Sequence, residues 1–132
     1  MITVDTNVLA RAILDDDEIQ SPLAQKKINK LLATEGIYVS AFTILELAWL
    51  MKMKKKSRQE IYEVFSHFLN AKSTEVGHRA IVERALELYR KGKVSFADCM
   101  ILADSNENSS SGVVTFDHDF AQYDNVQLIA KK

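Results

Sequence analysis

Four acidic residues stand in stretches of the chain that carry no other fixed charge nearby: Asp5 in "VDTNVLA", Glu46 in "TILELAWL", Asp98 in "VSFADCMILA", and Asp117, with Asp119 two places on, in "GVVTFDHDF". Setting a carboxylate among apolar side chains is costly, and the repetition points to a shared use. Gathered together, ionised carboxylates at ~5 Å and an effective dielectric of ~20 repel by about 3 kcal/mol per pair, a cost that a bound cation removes. Oxygen donors without thiolates or clustered imidazoles suit a hard ion, Mg2+ or Mn2+ rather than Zn2+. The histidines are scattered: His67 and His78 read as structural or surface residues, and only His118 adjoins one of the acids.

Each acid taken singly also fits a humbler role. Thr43-x-x-Glu46 and Ser95-x-x-Asp98 have the spacing of a capping box, and Asp5 stands where a helix N-cap would. Ser57-x-x-Glu60 has the same spacing in a basic surface segment that asks for no other function. Apolar surroundings set the four acids apart from that example.

The elements that must position them are legible in outline. Short runs rich in β-branched residues predict strands at 2–4, 37–39, 74–76, 113–116 and 126–129. Between them lie helical patterns: 8–14; a helix with Ser21 as N-cap, Pro22 as its first helical position and Gly36 as its stop; 43–53; a helix opened by Ser57 and Glu60, with Ile61, Val64, Phe65, Phe68 and Leu69 on one stripe; 78–91; and the helix of Asp98, closed by "NSSSG". The acidic run Asp15 to Glu18 reads as a solvated loop, and Leu45, Trp49 and Met51 read as core. Strands alternating with helices predict an α/β domain around a mostly parallel sheet. In such sheets the carboxyl ends of strands and the N-termini of helices share one edge. Asp5 and Asp117 follow strands while Glu46 and Asp98 come early in helices, so all four can converge there.

With 132 residues the chain predicts one domain, 1–132, able to bury roughly two-thirds of its unfolded surface. Hydrophobic residues at 47%, with 1 Pro and 4 Gly, fit a folded protein and exclude a disordered or fibrous one. Lys+Arg 17 against Asp+Glu 18 gives no global attraction to polyanions, so any such binding rests on local patches. One lies at Lys52, Lys54, Lys55, Lys56 and Arg58, which equally suits a solvated helix end; Arg11 can serve a salt bridge or a phosphate. The lone Cys99 fits a reducing cytosol. No signal peptide is expected, and the longest charge-free run, "GIYVSAFTIL", falls short of the ~18 residues of a membrane span.

"VDTNVLARAI", "TILEL", "SFADCMILA" and "VVTFDHDF", in that order and with those flanks, resemble the PIN-domain proteins, and the short length resembles the VapC-type toxins of toxin–antitoxin pairs. The resemblance spans essentially the whole chain. It implies a three-layer α/β/α sandwich with a central, mostly parallel five-stranded sheet and a metal-dependent endoribonuclease in the cytoplasm, with an RNA substrate, a cognate antitoxin and a homodimer. It makes Asp5, Glu46, Asp98 and Asp117 the acidic quartet, Asp5 and Asp98 binding Mg2+ or Mn2+ directly and Glu46 and Asp117 directly or through water. Asp119 matches an auxiliary acid, Thr6 and Asn7 the polar pair after the first acid, and Thr115 the polar residue before the last. His118 departs from the basic residue common at that place. Arg11, Lys54, Lys55 and Lys56 are the candidate RNA contacts.

Two other readings, a signalling domain and an enzyme, fit less well. A receiver domain needs paired acids after its first strand and a Lys near its last, which "VDTN" and "VQLIA" lack. A phosphatase with an aspartyl nucleophile needs a second Asp where Asn7 stands. The non-enzyme alternative is a module on the same fold that binds RNA or protein without cutting.

Overall fold

The computed structural model describes residues 1–129; positions 130–132 of the expected domain lie outside it. In chain order the elements are β1 (Ile2–Thr3), α1 (Thr6–Leu14), α2 (Gln20–Ala33), β2 (Ile37–Val39), α3 (Ala41–Met53), α4 (Arg58–Asn70), β3 (Thr74–Val76), α5 (Arg79–Lys91), α6 (Phe96–Glu107), β4 (Val113–Thr115), a 3-10 helix (Phe120–Gln122) and β5 (Val126–Leu128). All five predicted strands form, and every pairing is parallel. The rungs fall in two sheets, β1-β2-β3 and β4-β5. Strands of two or three residues supply only a few rungs each, so continuity from one pair to the next is easily lost. The chain divides into two compact units, Met1–Arg79 and the part from Ala80 on, and each is described by itself.

In the first unit β2 is central, pairing Ile37 with Ile2 on one side and with Thr74 on the other. Parallel neighbours cannot be joined by a tight turn. Helices α1 and α2 therefore carry the chain from β1 to β2, and α3 and α4 carry it from β2 to β3. Their inner faces bury Leu9, Leu31, Ile44, Leu47, Met51, Ile61 and Phe65 with Ile37 and Val39 of the sheet. Gly36 enters β2 at φ 80, and a Cβ there would lie 2.9 Å from the Ser73 carbonyl oxygen, so only glycine fits.

Helix boundaries correct the sequence reading at several points. α1 starts at Thr6, two residues early, and α3 at Ala41 rather than Thr43. The N-cap of α3 is Ser40, whose Oγ accepts from Phe42 N–H at 3.1 Å. Ser21 does not cap α2; it is buried inside the helix, and Asp17 receives the N–H groups of Ile19 and Gln20 at 3.0 and 2.7 Å. Those two bonds hold the Asp17 carboxyl below its usual range. Pro22 is the third helical residue and not the first, yet it stays within the first turn, where an N–H has no intrahelical partner to lose.

The run Asp15 to Glu18 is accordingly more than a solvated loop. Ser57 and Glu60 form the capping box as the spacing predicts, with both reciprocal bonds present. Of the three expected core residues on α3, Met51 is buried and Leu45 half-buried, but Trp49 is exposed. Residues 49 and 51 are about 200° apart around a helix and cannot face the same way.

In the second unit α5 buries Val82, Ala85, Leu86 and Tyr89, the last meeting Phe96 of α6 edge to face at 5.6 Å. Tyr123 donates its hydroxyl to the Leu88 carbonyl at 2.9 Å. The phenol occupies the space a side chain at position 92 would need, which Gly92 leaves clear.

On the outer side of α5, hydrogen bonds from Arg90 and then Lys91 pull the Glu87 carboxyl from 4.5 to about 2. A group harder to protonate in the folded chain contributes stability that is complete above the unfolded value and lost as pH falls through the folded one. The stability lead of the parent over Glu87→Gln should therefore shrink between pH about 4.5 and about 2. Urea unfolding at both ends of that window measures it; an undiminished lead at the acid end contradicts the assignment.

Candidate functional site

Val4 is buried, and its N–H continues the ladder to the Tyr38 carbonyl at 3.1 Å, which fixes the exit from β1. Asp5 then takes the N-cap position of α1 with extended backbone (φ −68, ψ 150), yet its side chain makes no capping bond. Its carboxylate is left facing solvent. Thr6 is 5% exposed, and its hydroxyl donates to Glu46 Oε1 at 2.8 Å. The hydroxyl oxygens of Thr6 and buried Thr43 are 3.3 Å apart.

This arrangement rules on the capping reading of Glu46. Ser40 already caps α3, and Glu46 lies beyond the first turn, where no free N–H remains for it. Thr43 belongs to the hydroxyl cluster that holds Glu46 and caps nothing. Asp5, Thr6, Asn7, Leu45, Glu46, Trp49 and Leu50 line one surface hollow of about 400 Å³.

In the second unit Ser95 caps α6, accepting from Asp98 N–H at 3.1 Å. Half of the predicted box is thus present. The return bond from Ser95 N–H to the Asp98 carboxylate is absent among the described residues, in contrast to Ser57 and Glu60. Asp98 is half-buried in the first turn while its neighbours Cys99 and Met100 go into the core.

Asp117 follows β4. Its N–H donates to Thr115 Oγ1 at 3.0 Å, and its Oδ1 accepts from Asp119 N–H at 2.8 Å and Phe120 N–H at 3.2 Å. One carboxylate oxygen therefore shapes the turn and Oδ2 is left over. Asp119 makes no side-chain cap bond, and both it and His118 are exposed.

Asp5, Glu46, Asp98 and Asp117 have no Lys or Arg at ion-pair distance among the described residues. Among those residues no three His, Cys, Asp or Glu side chains form a ready metal-binding group. Taken one by one, these acids offer donors of the kind that suits Mg2+ or Mn2+, hard oxygens not neutralised by a Lys or Arg among the described residues, and Glu46 is held in place by a hydroxyl.

The basic candidates are differently placed. Arg11 donates to Asp16 at 3.1 Å and to Gln20 at 3.0 Å, and Lys54 Nζ reaches Asp16 at 3.3 Å. Arg11 first, and Lys54 after it, hold the Asp16 carboxyl below its usual range. Lys55, at φ 60, and Lys56 form the left-handed stop of α3, their N–H groups bound to the carbonyls of Lys52 and Met51. Sequence reasoning missed Trp49 as a lining residue; its 100° steps from buried Leu47, Ala48 and Met51 were the signal.

The model of the PIN domain family matches residues 2–126, a span that includes all four acids and Asp119. A VapC ribonuclease of Aquifex aeolicus (strain VF5) is 26% identical over 121 residues, covering 91% of this chain and 90% of that protein. Among solved structures, the Mycobacterium tuberculosis toxin VapC20, which cleaves the sarcin-ricin loop, aligns over 97% of this chain and 98% of its own at 19% identity and a TM-score of 0.44.

The Thr6 hydroxyl is buried and serves two elements. Thr6→Val keeps the shape but leaves the Thr43 hydroxyl buried without its neighbour, and should cost about 1 kcal/mol of stability in denaturant unfolding. Thr6→Ser should recover most of it. Equal losses for both variants would assign the effect to packing instead.

Proposed function

Since the chain belongs to the PIN domain family, we propose that it is a metal-dependent endoribonuclease and the toxin component of a toxin–antitoxin pair. The observation that carries the reading is the Thr6 bond, which presents Glu46 beside Asp5 in one hollow although neither carboxylate has a capping duty. The unbroken family match from 2 to 126 supports treating 1–132 as a single nuclease domain in which Asp98 and Asp117 complete the site. The likeness to the Aquifex VapC ribonuclease supports RNA as substrate and the toxin role.

Asp5, Glu46, Asp98 and Asp117 would hold Mg2+ or Mn2+. When bound, the ion lowers the pKa of an attacking water, orients it and neutralises charge growing on the leaving oxygen. In the hydrolysis the water oxygen bonds to phosphorus, one P–O ester bond breaks, and the leaving oxygen gains a proton. The chain's own part is positional. Thr6 fixes the rotamer of Glu46, the Asp119 and Phe120 amides fix Asp117 through Oδ1, and Ser95 fixes the start of α6 and with it Asp98. Asn7, exposed at the rim of the hollow, adds an amide suited to a phosphate or sugar oxygen.

RNA contacts are proposed at Lys55 and Lys56, and at Arg11 and Lys54 after exchange from Asp16. Exposed ion pairs of that kind contribute little and exchange readily. Among the described residues no helix is long and apolar enough to cross a membrane. The proposed setting is the cytoplasm, with a homodimer of C2 symmetry and an antitoxin that covers the acidic edge.

Asp98→Asn keeps the shape of the first turn of α6 but removes a charge the ion needs. It should abolish Mn2+-dependent RNA cleavage and reduce the rise in melting temperature that Mn2+ gives the parent, with circular dichroism unchanged. Cleavage at the parent rate would remove the metal-site role of Asp98.

Induced alone, the parent should slow growth, while Asp5→Asn should not, and co-expression of the neighbouring reading frame should restore it. Equal growth of all three, with soluble protein present, would dismiss the toxin role and leave a non-toxic nuclease.

A further inference from the structure

The hollow beside Asp5 and Glu46 has a second wall that the acids do not explain. α3 buries Ile44, Leu47, Ala48 and Met51, yet turns Trp49 outward at 61% exposure. A tryptophan left in water forgoes one of the largest burial gains available to any side chain. Phe42, at 76%, and Met53, at 60%, are exposed on the same helix, but of the three only Trp49 lines the hollow with the two carboxylates. Glu46 and Trp49 are three residues apart, which makes them neighbours on one helix face.

We propose that the Trp49 indole is the platform on which a base of the RNA substrate stacks, so that the hollow seats one nucleotide of unpaired RNA next to the acids. This rests on the nuclease reading above. The lining is amphipathic in the way a nucleotide is: Asp5, Asn7 and Glu46 form its polar side, and Leu45, Trp49 and Leu50 its apolar side. At about 400 Å³ it lies within the range of sites that enclose small molecules.

A protein segment laid over Trp49 would take the Asp5 and Glu46 carboxylates out of water and would have to compensate both charges. A nucleotide would not, because a cation held by those acids would also compensate its phosphate. Stacking uses a π-face that every base has, so this wall strengthens binding with little regard to sequence. It also favours single-stranded RNA, whose bases are free to splay out.

Trp49 is the chain's single tryptophan and therefore its own reporter. The experiment uses the full chain with Ca2+ in place of Mn2+, a hard ion that carboxylates hold without the strict geometry suited to cutting, so that RNA is bound and not cut, and a short mixed-sequence unpaired RNA bearing an end label. Label anisotropy reads RNA binding and indole emission reads stacking. The RNA should quench the emission, the same backbone without bases should not, and adding Trp49→Ala should weaken RNA binding about tenfold. Trp49→Phe should retain most of the affinity.

The proposal is overturned if RNA binds with emission unchanged, or if Trp49→Ala binds as the parent does while its circular dichroism and Mn2+ response are intact. It is overturned in favour of a protein interface if Trp49→Ala leaves RNA binding alone but changes the molar mass seen by light scattering. Absence of any RNA binding by the chain with Trp49 intact would take the nuclease reading down with it, and so is distinct from the failure of Trp49 alone.

Discussion

Parallel pairing is the constraint from which the rest of the first unit follows. β1 and β2 run side by side in the same direction, so both strands end at the same edge of the sheet. Whatever follows each strand starts from that edge. After β1 comes Asp5, and after β2 comes Ser40 and the helix that carries Glu46. An antiparallel neighbour would have put the two carboxylates at opposite ends of the sheet. The Thr6 hydroxyl then turns nearness into contact, tying the first residue of α1 to Glu46.

Capping chemistry and site chemistry draw on the same residue types, and the molecule separates them by giving the caps to other residues. Ser40 relieves Glu46, and Ser95 satisfies an N–H of α6 without engaging the Asp98 carboxylate. Asp117 spends only one oxygen on the turn, Oδ1 accepting from two backbone N–H groups while Oδ2 is left over. At Ser57 and Glu60, where nothing else is asked of the acid, the full reciprocal box forms.

The strands were legible because short β-branched runs bounded by turn residues have few other uses, and their alternation with helices was enough to name the fold class. The helix starts were not. Near α3 both Ser40 and Thr43 are eligible caps, and near α2 both Asp17 and Ser21 are. In each case the later residue is buried and an earlier one accepts the N–H, Ser40 that of Phe42, and Asp17, two residues ahead of the Ile19 N-cap position, that of Gln20. Spacing alone carries no information about that burial. Trp49 was misread for a related reason: an apolar run on a helix invites the label of core, but successive residues point 100° apart and some must face out. The positions of Asp5 and Asp117 after strands were readable from the sequence. The bonds that orient Glu46 and Asp117 were not, since they depend on Thr6 from a distant element and on the local geometry of the 117–120 turn.

Asp16 holds two cations with one carboxylate. It therefore works as a counterion built into the fold: Arg11 and Lys54 are present in number but muted in field. A change at that single position would raise the formal charge by one unit while releasing two donors, so that short-range hydrogen-bonding capacity would change by more than the long-range field does. The ionic-strength dependence of encounter rates responds to such local fields. In a chain whose formal net charge is −1, the local field around Arg11 and Lys54 is set less by how many lysines the chain has than by which cations Asp16 keeps occupied.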